Sequence, residues 1–593
     1  MLCSRPALLM MHQYRGSMFS KHHNFVKRSL SSTSSSSSSK NSSTRSRLAI
    51  GGSKIAQQNT QDGIYPSVIA TAIANSISTF ESGFDGDEKL TKAYIDAFVH
   101  LQSSRSSGND NNNNTIGSKI KGIELTGRFG YKAGPMDSKC EDDILQEGTM
   151  NTNDGDGGEM CAFHNMSTLH VQQSLEHSPL VHLYQGKLNS DSYGNLGLDE
   201  EKLEYINECR DSIQLTYMAH NPEAQGSEMH IKGAPIEDIR EFTKERMTQA
   251  FIGLERGVAE GQITSYGVCS NGLSLPSSHP MHLSWEDMLK AANDAAGIVH
   301  NSSSNANAVA NLSMVQLPIN LLETHGMKVA NRIKNYLASP QKEEESSLLP
   351  SSIRVFAMRP LTCYPGRGVG NEHPFKLVDY LIPTSLNEND DKTWTHNIEQ
   401  SSPLSYTAIL NETMAHFDAT HILEIKEEEE RKLTMEERET LDGCKLIQSM
   451  IHDLDANLSS GQLRSFAAYE EDLYSKAIPL IHDTFEELDA DSADLLQRFF
   501  QAHGNAVRHS IAKTTRQLVK EGGDGVEKYN IPDDWSLQEF ALGYLWKQQC
   551  EGDFANGQLI DKVVVGCPKL GHVVELVEIA DKVQSLMDND ILK

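Results

Sequence analysis

The chain has 593 residues, and its 81 acidic side chains outnumber its 53 lysines and arginines, for a formal net charge of −28. This balance argues against nucleic acid as a general partner, because phosphate binding needs a concentrated basic surface. Nine cysteines without a Cys-x-x-Cys pair argue against a structural zinc site and a disulfide framework. No run of about 18 apolar residues suggests a membrane span.

The N-terminal segment differs from the rest in charge. Residues 1–61 contain no acidic side chain, nine lysines and arginines, and the serine run "SLSSTSSSSSSKNSSTRSR". A stretch rich in arginine and serine and free of acids is typical of a transit peptide. We therefore predict a leader over residues 1–44, cleaved near "VKRSLSS", with the mitochondrion as its destination and the plastid as the alternative. A disordered tail without a targeting role stays open.

Strand-like runs alternate with helical patterns from Arg47 onward. The runs are, in order, "RLAIGG", "STFES", "KGIELTGRF", "LTYMAH", "QITSYGVCSN", "LSMVQLP", "SSIRVFAMRPL" and "DKVVVGC". Strands separated by helices predict crossover connections and a parallel sheet. Eight of them predict an α/β fold, a closed (β/α)8 TIM barrel over residues 45–593, whose chemistry lies at the carboxyl ends of the strands. His220, which ends "LTYMAH", is therefore a candidate site residue.

Two regions interrupt this alternation. The Gly-, Asp- and Asn-rich segment "NTNDGDGGEM" is typical of a surface loop. Residues 366–516 are mostly charged and helix-forming, with "EIKEEEERKLTMEERETL" at their centre. We interpret them as a large acidic helical insertion with a solvated surface. Docking of a basic protein partner on its acidic helices is the alternative.

Several motifs resemble the aldo-keto reductases, in the branch of plant galactose dehydrogenases and related bacterial reductases. They are, in family order, "HNMSTLHVQQSLEHS", "MAHNPE", "FIGLERGVAEGQITSYGVCSNG", "VQLPINLLE", "VFAMRPL" and "SLQEFALGYL…DKVVVGC". The resemblance implies hydride transfer from NADP, or alternatively NAD, to a small carbonyl or sugar substrate. It also implies four catalytic side chains: a tyrosine that donates a proton, a lysine and an aspartate that tune its acidity, and a histidine that orients the carbonyl.

Only part of this catalytic set has a counterpart here. The histidine corresponds to His220, and the aspartate corresponds to Glu81 in "TFESG", whose side chain is one carbon longer. The lysine position falls on Gly127 or Arg128, and an arginine barely exchanges a proton. The segment that should carry the tyrosine reads Phe84-Asp85-Gly86. The resemblance thus predicts a degenerate catalytic set of His220, Glu81 and Arg128.

The predicted cofactor contacts follow the same resemblance. Ser270 and Asn271 after the fifth strand and Gln316 on the sixth correspond to residues that hold the nicotinamide amide. Lys569 corresponds to the residue for the 2′-phosphate and Glu575 to one for the adenine. Met358 stands where an aromatic ring usually stacks on the nicotinamide.

Two alternatives remain at this stage. Tyr131 and Lys132, just past the third strand, could supply the missing phenol and amine from a shifted loop. The second alternative concerns the whole protein, which could be a non-catalytic barrel that binds a nucleotide or a protein partner. A tyrosine hydroxyl within about 3 Å of a carbonyl placed beside His220 would favour the enzyme.

Overall fold

The structure is a computed structural model. It describes residues 45–52, 64–82, 88–106, 122–135, 138–150, 160–188, 213–300, 309–338, 348–350, 352–364, 375–378, 382–383, 394–395, 403–418, 432–461, 463, 465–484, 488–522, 528–532, 535–548, 557–567 and 570–588. The predicted leader over residues 1–44, the segment Phe84-Asp85-Gly86 and Lys569 lie outside these residues. Within the described ranges, no helix is both long and apolar enough to cross a membrane.

Eight parallel strands close into a barrel, which confirms the predicted α/β (β/α)8 class. They are β1 Leu48–Gly51, β2 Thr79–Glu81, β3 Ile123–Phe129, β4 Ile213–His220, β5 Ser265–Cys269, β6 Leu312–Pro318, β7 Arg354–Met358 and β8 Lys562–Gly566. Each strand pairs with the next in sequence, and β8 pairs with β1 to close the ring.

Helices follow most strands and cover the outside of the barrel. They are Ile64–Ala74, Glu88–Ser106, Thr168–His177, Pro179–Gln185, Ser227–Ile231, Ile236–Ala259, Trp285–His300, His325–Ala338, Leu537–Lys547 and Leu570–Asp588, with short 3₁₀ turns at Pro222–Gly226 and Gly272–Ser274. Gly261, at φ +69°, lies just beyond the long helix Ile236–Ala259, a position at which glycine commonly ends a helix.

The barrel interior is filled by a small apolar cluster with a polar layer at one end. The cluster draws on six strands and consists of Ala49, Met218, Cys269, Met314, Phe356, Met358 and Val564. Alternate residues of a strand share a face. His220, two residues after Met218, and Gln316, two after Met314, therefore point into the same interior, nearer the carboxyl ends.

A three-stranded antiparallel sheet lies on the connection between β3 and β4. Its strands are Tyr131–Pro135, Ile144–Met150 and the central Met160–His164. The sequence predicted only a shifted loop at Tyr131 and Lys132 and a surface loop up to Met160. The loop expected at Tyr131 and Lys132 is wrong, because these residues pair with His164 and Phe163 in a strand that the local sequence does not specify. The predicted surface loop over residues 151–160 lies outside the described residues except for Met160, the first residue of the central strand.

The region predicted as an acidic insertion contains helices with a hydrophobic core of their own. The described helices are Pro403–His416, Met435–Ser460, Phe466–Asp472, Ile478–Thr484 and Ala490–Glu521, with a π-helical turn at Leu473–Ala477, and two-residue strands pair nearby at Thr362–Cys363 with Phe375–Lys376 and at Ile382–Pro383 with Trp394–Thr395. Buried Ile447, Phe499 and Val507 belong to this core. The last helix continues beyond it, and its Val519 packs in the barrel core.

Candidate functional site at the carboxyl end of the barrel

Three consecutive strands bring the predicted catalytic residues together. Glu81 is the last residue of β2, Arg128 the penultimate residue of β3 and His220 the last residue of β4. The Arg128 guanidinium forms an ion pair with the Glu81 carboxylate. Its Nη1 atom lies 3.3 Å from Nε2 of His220. The three side chains therefore form a continuous polar chain inside the barrel.

Burial fixes the charge of each member of this chain. Glu81 and Arg128 are 5% and 7% exposed, so each neutralises the other away from solvent. Burial, followed by the nearby Arg128 charge, holds the pKa of His220 well below its ordinary value of 6.5. His220 is therefore neutral near pH 7, and its Nε2 accepts the hydrogen bond from Arg128. This assigns the ring proton to Nδ1.

Gln316 extends the chain across the barrel from β6. Its Nε2 donates to Oε1 of Glu81 at 3.1 Å. Its own Oε1 is buried and has no hydrogen-bond partner among the described residues. A buried acceptor without a partner is costly, and the amide N–H of a bound ligand would satisfy it.

Ser270 and Asn271, the other two residues predicted to bind the nicotinamide amide, differ in burial and in their hydrogen-bond partners. The Ser270 hydroxyl is buried and donates to Oε2 of Glu223 at 2.7 Å, so the protein already uses it. Asn271 is exposed, and its Nδ2 lies 3.3 Å from Oδ1 of Asn221. Of the three predicted amide contacts, Gln316 thus keeps an unused acceptor, whereas Ser270 stabilises the turn by accepting from the backbone N–H of Leu273.

The residues predicted to contact the 2′-phosphate and the adenine are Lys569 and Glu575. Lys569 lies outside the described residues, although the helix Leu570–Asp588 begins directly after it. Glu575, on that helix, accepts a hydrogen bond from Gln538 Nε2 at 3.0 Å. Met358 is buried in the barrel interior, with its Sδ 3.7 Å from Sγ of Cys269. It therefore packs as a core residue.

The resemblance assigns no catalytic role to Tyr131, but the structure places this residue beside His220. Its ring meets the His220 ring edge to face, with centroids 5.2 Å apart. Its hydroxyl accepts a hydrogen bond from Asn221 Nδ2 at 3.2 Å. Burial raises the pKa of this phenol to about 12. The phenol of the shifted-loop alternative thus reaches the site.

Lys132 does not accompany Tyr131. Its Nζ lies 2.6 Å from the buried Asp143 carboxylate, which also accepts a hydrogen bond from Asn165. This network holds the antiparallel sheet together. The amine of the shifted-loop alternative is therefore used elsewhere, and the phenol is not paired with a lysine.

His164 fastens the antiparallel sheet to the barrel. Its Nε2 donates to the carbonyl of His220 at 2.8 Å, and its Nδ1 accepts from Gln225 Nε2 at 2.8 Å. Burial lowers the pKa of His164 to about 4, so the ring is neutral near pH 7. This arrangement fixes the end of β4 and the His220 side chain that follows from it.

The sequence matches no protein-family model and no curated protein. Among solved structures it is similar to a glycerol dehydrogenase from Gluconobacter oxydans, with a TM-score of 0.30, 11% identity, and coverage of 92% of this chain and 90% of that one. It is also similar to a holo aldo-keto reductase from Bacillus halodurans (TM-score 0.27, 10% identity, 90% and 85% coverage). Likenesses this weak carry no argument about function.

Proposed function

We propose that this protein is an oxidoreductase of the aldo-keto reductase type that reduces a small carbonyl or sugar substrate with NADPH, or alternatively NADH. The observation that carries the proposal is the contiguous chain of Glu81, Arg128 and His220 at the carboxyl ends of three neighbouring barrel strands. This is the end of a (β/α)8 barrel at which active sites lie. The ordered sequence motifs give the reaction class.

The side chains present could perform distinct parts of this reaction. When bound, the nicotinamide supplies a hydride to the carbonyl carbon, and Asn271 and Gln316 would hold its carboxamide. The Arg128 guanidinium is a hydrogen-bond donor at the site and would favour the negative charge that develops on the substrate oxygen. Glu81 and His220 both contact the guanidinium and fix its position.

Nucleotide binding is the first test of the proposal. NADPH is titrated into the protein and followed by fluorescence and calorimetry, with Lys569→Ala and His220→Ala as variants. Lys476→Ala, on an exposed turn of the insertion, is a matched control. We expect Lys569→Ala to weaken binding and His220→Ala to reduce turnover of carbonyl substrates more than binding. No binding at millimolar NADPH would contradict the proposal.

A non-catalytic barrel is the second candidate, and one observation favours it. Ser270 and one end of Gln316 already have partners inside the protein, so part of the predicted nicotinamide contact set is occupied. Such a barrel would bind a nucleotide, or a protein through the acidic insertion. NADPH binding without turnover over a broad carbonyl panel would favour this function.

The mitochondrion is the proposed location, with the plastid as the alternative. The support is the composition of residues 1–44, which are acid-free and rich in serine and basic residues. A fluorescent fusion of the full chain should accumulate in mitochondria, and removal of residues 1–44 should abolish this. Accumulation in plastids would favour the alternative, and no change on removal would contradict a targeting role.

A further inference from the structure

Reduction of a carbonyl leaves a negative charge on its oxygen, and a nearby group must supply a proton. We propose that Tyr131 is that proton donor, although it lies after β3 and not in the segment where the resemblance places a catalytic tyrosine. The inference rests on the proposed function and adds a catalytic residue to it.

The other polar groups of the site are poorly suited to proton donation. Arg128 keeps its proton at any physiological pH. Glu81 is a carboxylate held by that guanidinium. His220 is neutral and accepts a hydrogen bond at Nε2. His220 keeps a proton on Nδ1, but the N–H of a neutral imidazole is a very weak acid, so none of the three is a suitable proton donor.

The phenol of Tyr131 has the required proton and position. Its ring contacts both His220 and His164, with centroids 5.2 and 4.7 Å apart. Its hydroxyl oxygen accepts a hydrogen bond from Asn221, and no described residue accepts the hydroxyl proton. That proton is free to be donated to a substrate oxygen beside His220.

Asn221 connects the phenol to the predicted cofactor contact. Its Nδ2 donates to Tyr131, while its Oδ1 accepts from the backbone N–H and the side chain of Asn271, both at 3.3 Å. Asn221 has φ +49°, which is uncommon outside glycine, although asparagine tolerates it. One residue therefore fixes the phenol and the nicotinamide contact relative to each other.

The backbone after β3 explains how Tyr131 reaches this position. Gly130 has φ +130°, and a Cβ atom there would lie 2.9 Å from His164 Nε2 and 3.0 Å from the His220 carbonyl oxygen. Only glycine fits this close approach. Tyr131 then pairs with His164 in the antiparallel sheet, which places its ring against the ends of β3 and β4.

The proposed step is balanced by the phenol and solvent. A bound nicotinamide would supply the hydride that forms the new C–H bond, and the carbonyl π electrons would move to oxygen. That oxygen takes the proton from Tyr131 Oη, the O–H bond of the phenol breaks, and the alcohol leaves. The phenolate regains a proton from water. The cofactor is oxidised and the carbonyl is reduced to an alcohol.

Tyr131→Phe tests this role with two independent readouts. We expect turnover of a carbonyl substrate to fall 100-fold or more, while NADPH affinity stays within about threefold. Tyr184→Phe, half-buried away from the site, should change neither turnover nor affinity.

A fluorinated tyrosine at position 131 tests the same role without removing the hydroxyl. The donor must be protonated, and fluorine lowers the pKa of a phenol, so the alkaline loss of reductase activity should move to lower pH. The titratable groups that face the phenol are His164, His220, Glu223 and Cys269. The wild type should hold its activity to about pH 10, since the phenol ionises above that.

The outcomes separate this inference from the function on which it rests. Wild-type turnover that survives in Tyr131→Phe within threefold, or an unshifted pH profile in the fluorinated protein, overturns the role of Tyr131 alone. A wild-type chain that binds no NADPH overturns both. If Tyr131→Phe fails to fold, as circular dichroism would show, the fluorinated protein decides.

Discussion

Arg128 and Glu81 combine two opposite charges in a setting with almost no water. Their side chains are 8% and 6% exposed, so neither charge can be hydrated if its partner is removed. A buried pair adds little net stability compared with apolar residues of similar size, but loss of one partner is expensive. The pair therefore adds little to the stability of the barrel, but it fixes which charged side chains the site can contain.

Glu81→Gln should reveal this constraint as a loss of stability. We expect the variant to lose about 3 kcal/mol of unfolding free energy, because an unpaired guanidinium remains buried. The measurement is urea unfolding followed by tryptophan fluorescence. The double variant Glu81→Gln with Arg128→Met should recover much of the loss.

Glu412→Gln is the matched control for that experiment. Glu412 pairs with Arg498, and both side chains are about half exposed, at 51% and 45%. Exposed pairs contribute roughly 0–1 kcal/mol, so this variant should behave like the wild type. Equal effects of Glu81→Gln and Glu412→Gln would show that burial does not govern the site pair.

The helices Thr168–His177 and Ile236–Ala259 pack closely because a glycine stands at their contact in place of a larger residue. A Cβ atom at Gly253, on the helix Ile236–Ala259, would lie 2.8 Å from Val171 Cβ and 3.3 Å from the Thr168 carbonyl oxygen. The helix Thr168–His177 thus rests directly on this surface.

Gly253→Ala should destabilise the protein even though alanine favours helix. Overpacking costs about 1–3 kcal/mol, and the helix preference returns only about 1 kcal/mol. Gly571→Ala is the control, since a Cβ there meets nothing within 4 Å and should be neutral or stabilising. Urea unfolding of both variants measures the difference. A stabilised Gly253→Ala would mean that the helices separate freely.

The elements differ in how well the sequence predicts them. All eight barrel strands are recognisable from apolar or β-branched runs that alternate with helical patterns, although β2 and β3 also carry Glu81, Glu124 and Arg128. The antiparallel sheet is not, since "YKAGP" and "ILQEGTM" mix charged, small and apolar residues. Their pairing depends on a third segment, Met160–His164, which lies between them in the sheet and follows both in sequence.

The residues of the candidate site also differ in how well the sequence predicts them. Glu81, Arg128 and His220 are predictable because the ends of β2, β3 and β4 must be neighbours in a barrel. Tyr131 was only an alternative, because its place beside His220 depends on the unusual backbone of Gly130 and on pairing with His164. Neither feature has a local sequence signal beyond the glycine itself.

At the scale of the whole molecule, the described residues form two main hydrophobic cores. Phe251 is fully buried in the barrel core and Phe499 in the core of the insertion. The helix Ala490–Glu521 contributes Val507 to one and Val519 to the other. Stability is therefore expected to be local to each core, with this helix as the link.

Phe251→Ala and Phe499→Ala should each loosen a different part of the molecule. Removal of a buried phenylalanine costs about 3–5 kcal/mol. Hydrogen–deuterium exchange should rise in Met435–Ser460 for Phe499→Ala and in β4 and β5 for Phe251→Ala. Equal increases in both regions for either variant would show that the two cores unfold as one unit.

Because β1 pairs with β8, the barrel cannot close until the last strand has been synthesised. Leu48 pairs with Val563, and Arg47 donates hydrogen bonds to the carbonyls of Trp546 and Ile560, about 500 residues away. At the usual rate of about 5–20 residues per second, a ribosome needs roughly 25–100 s to make the intervening chain. Throughout that time β1 has an unpaired edge, which is open to aggregation. The nascent chain should therefore depend on chaperones until its C-terminus has left the ribosome.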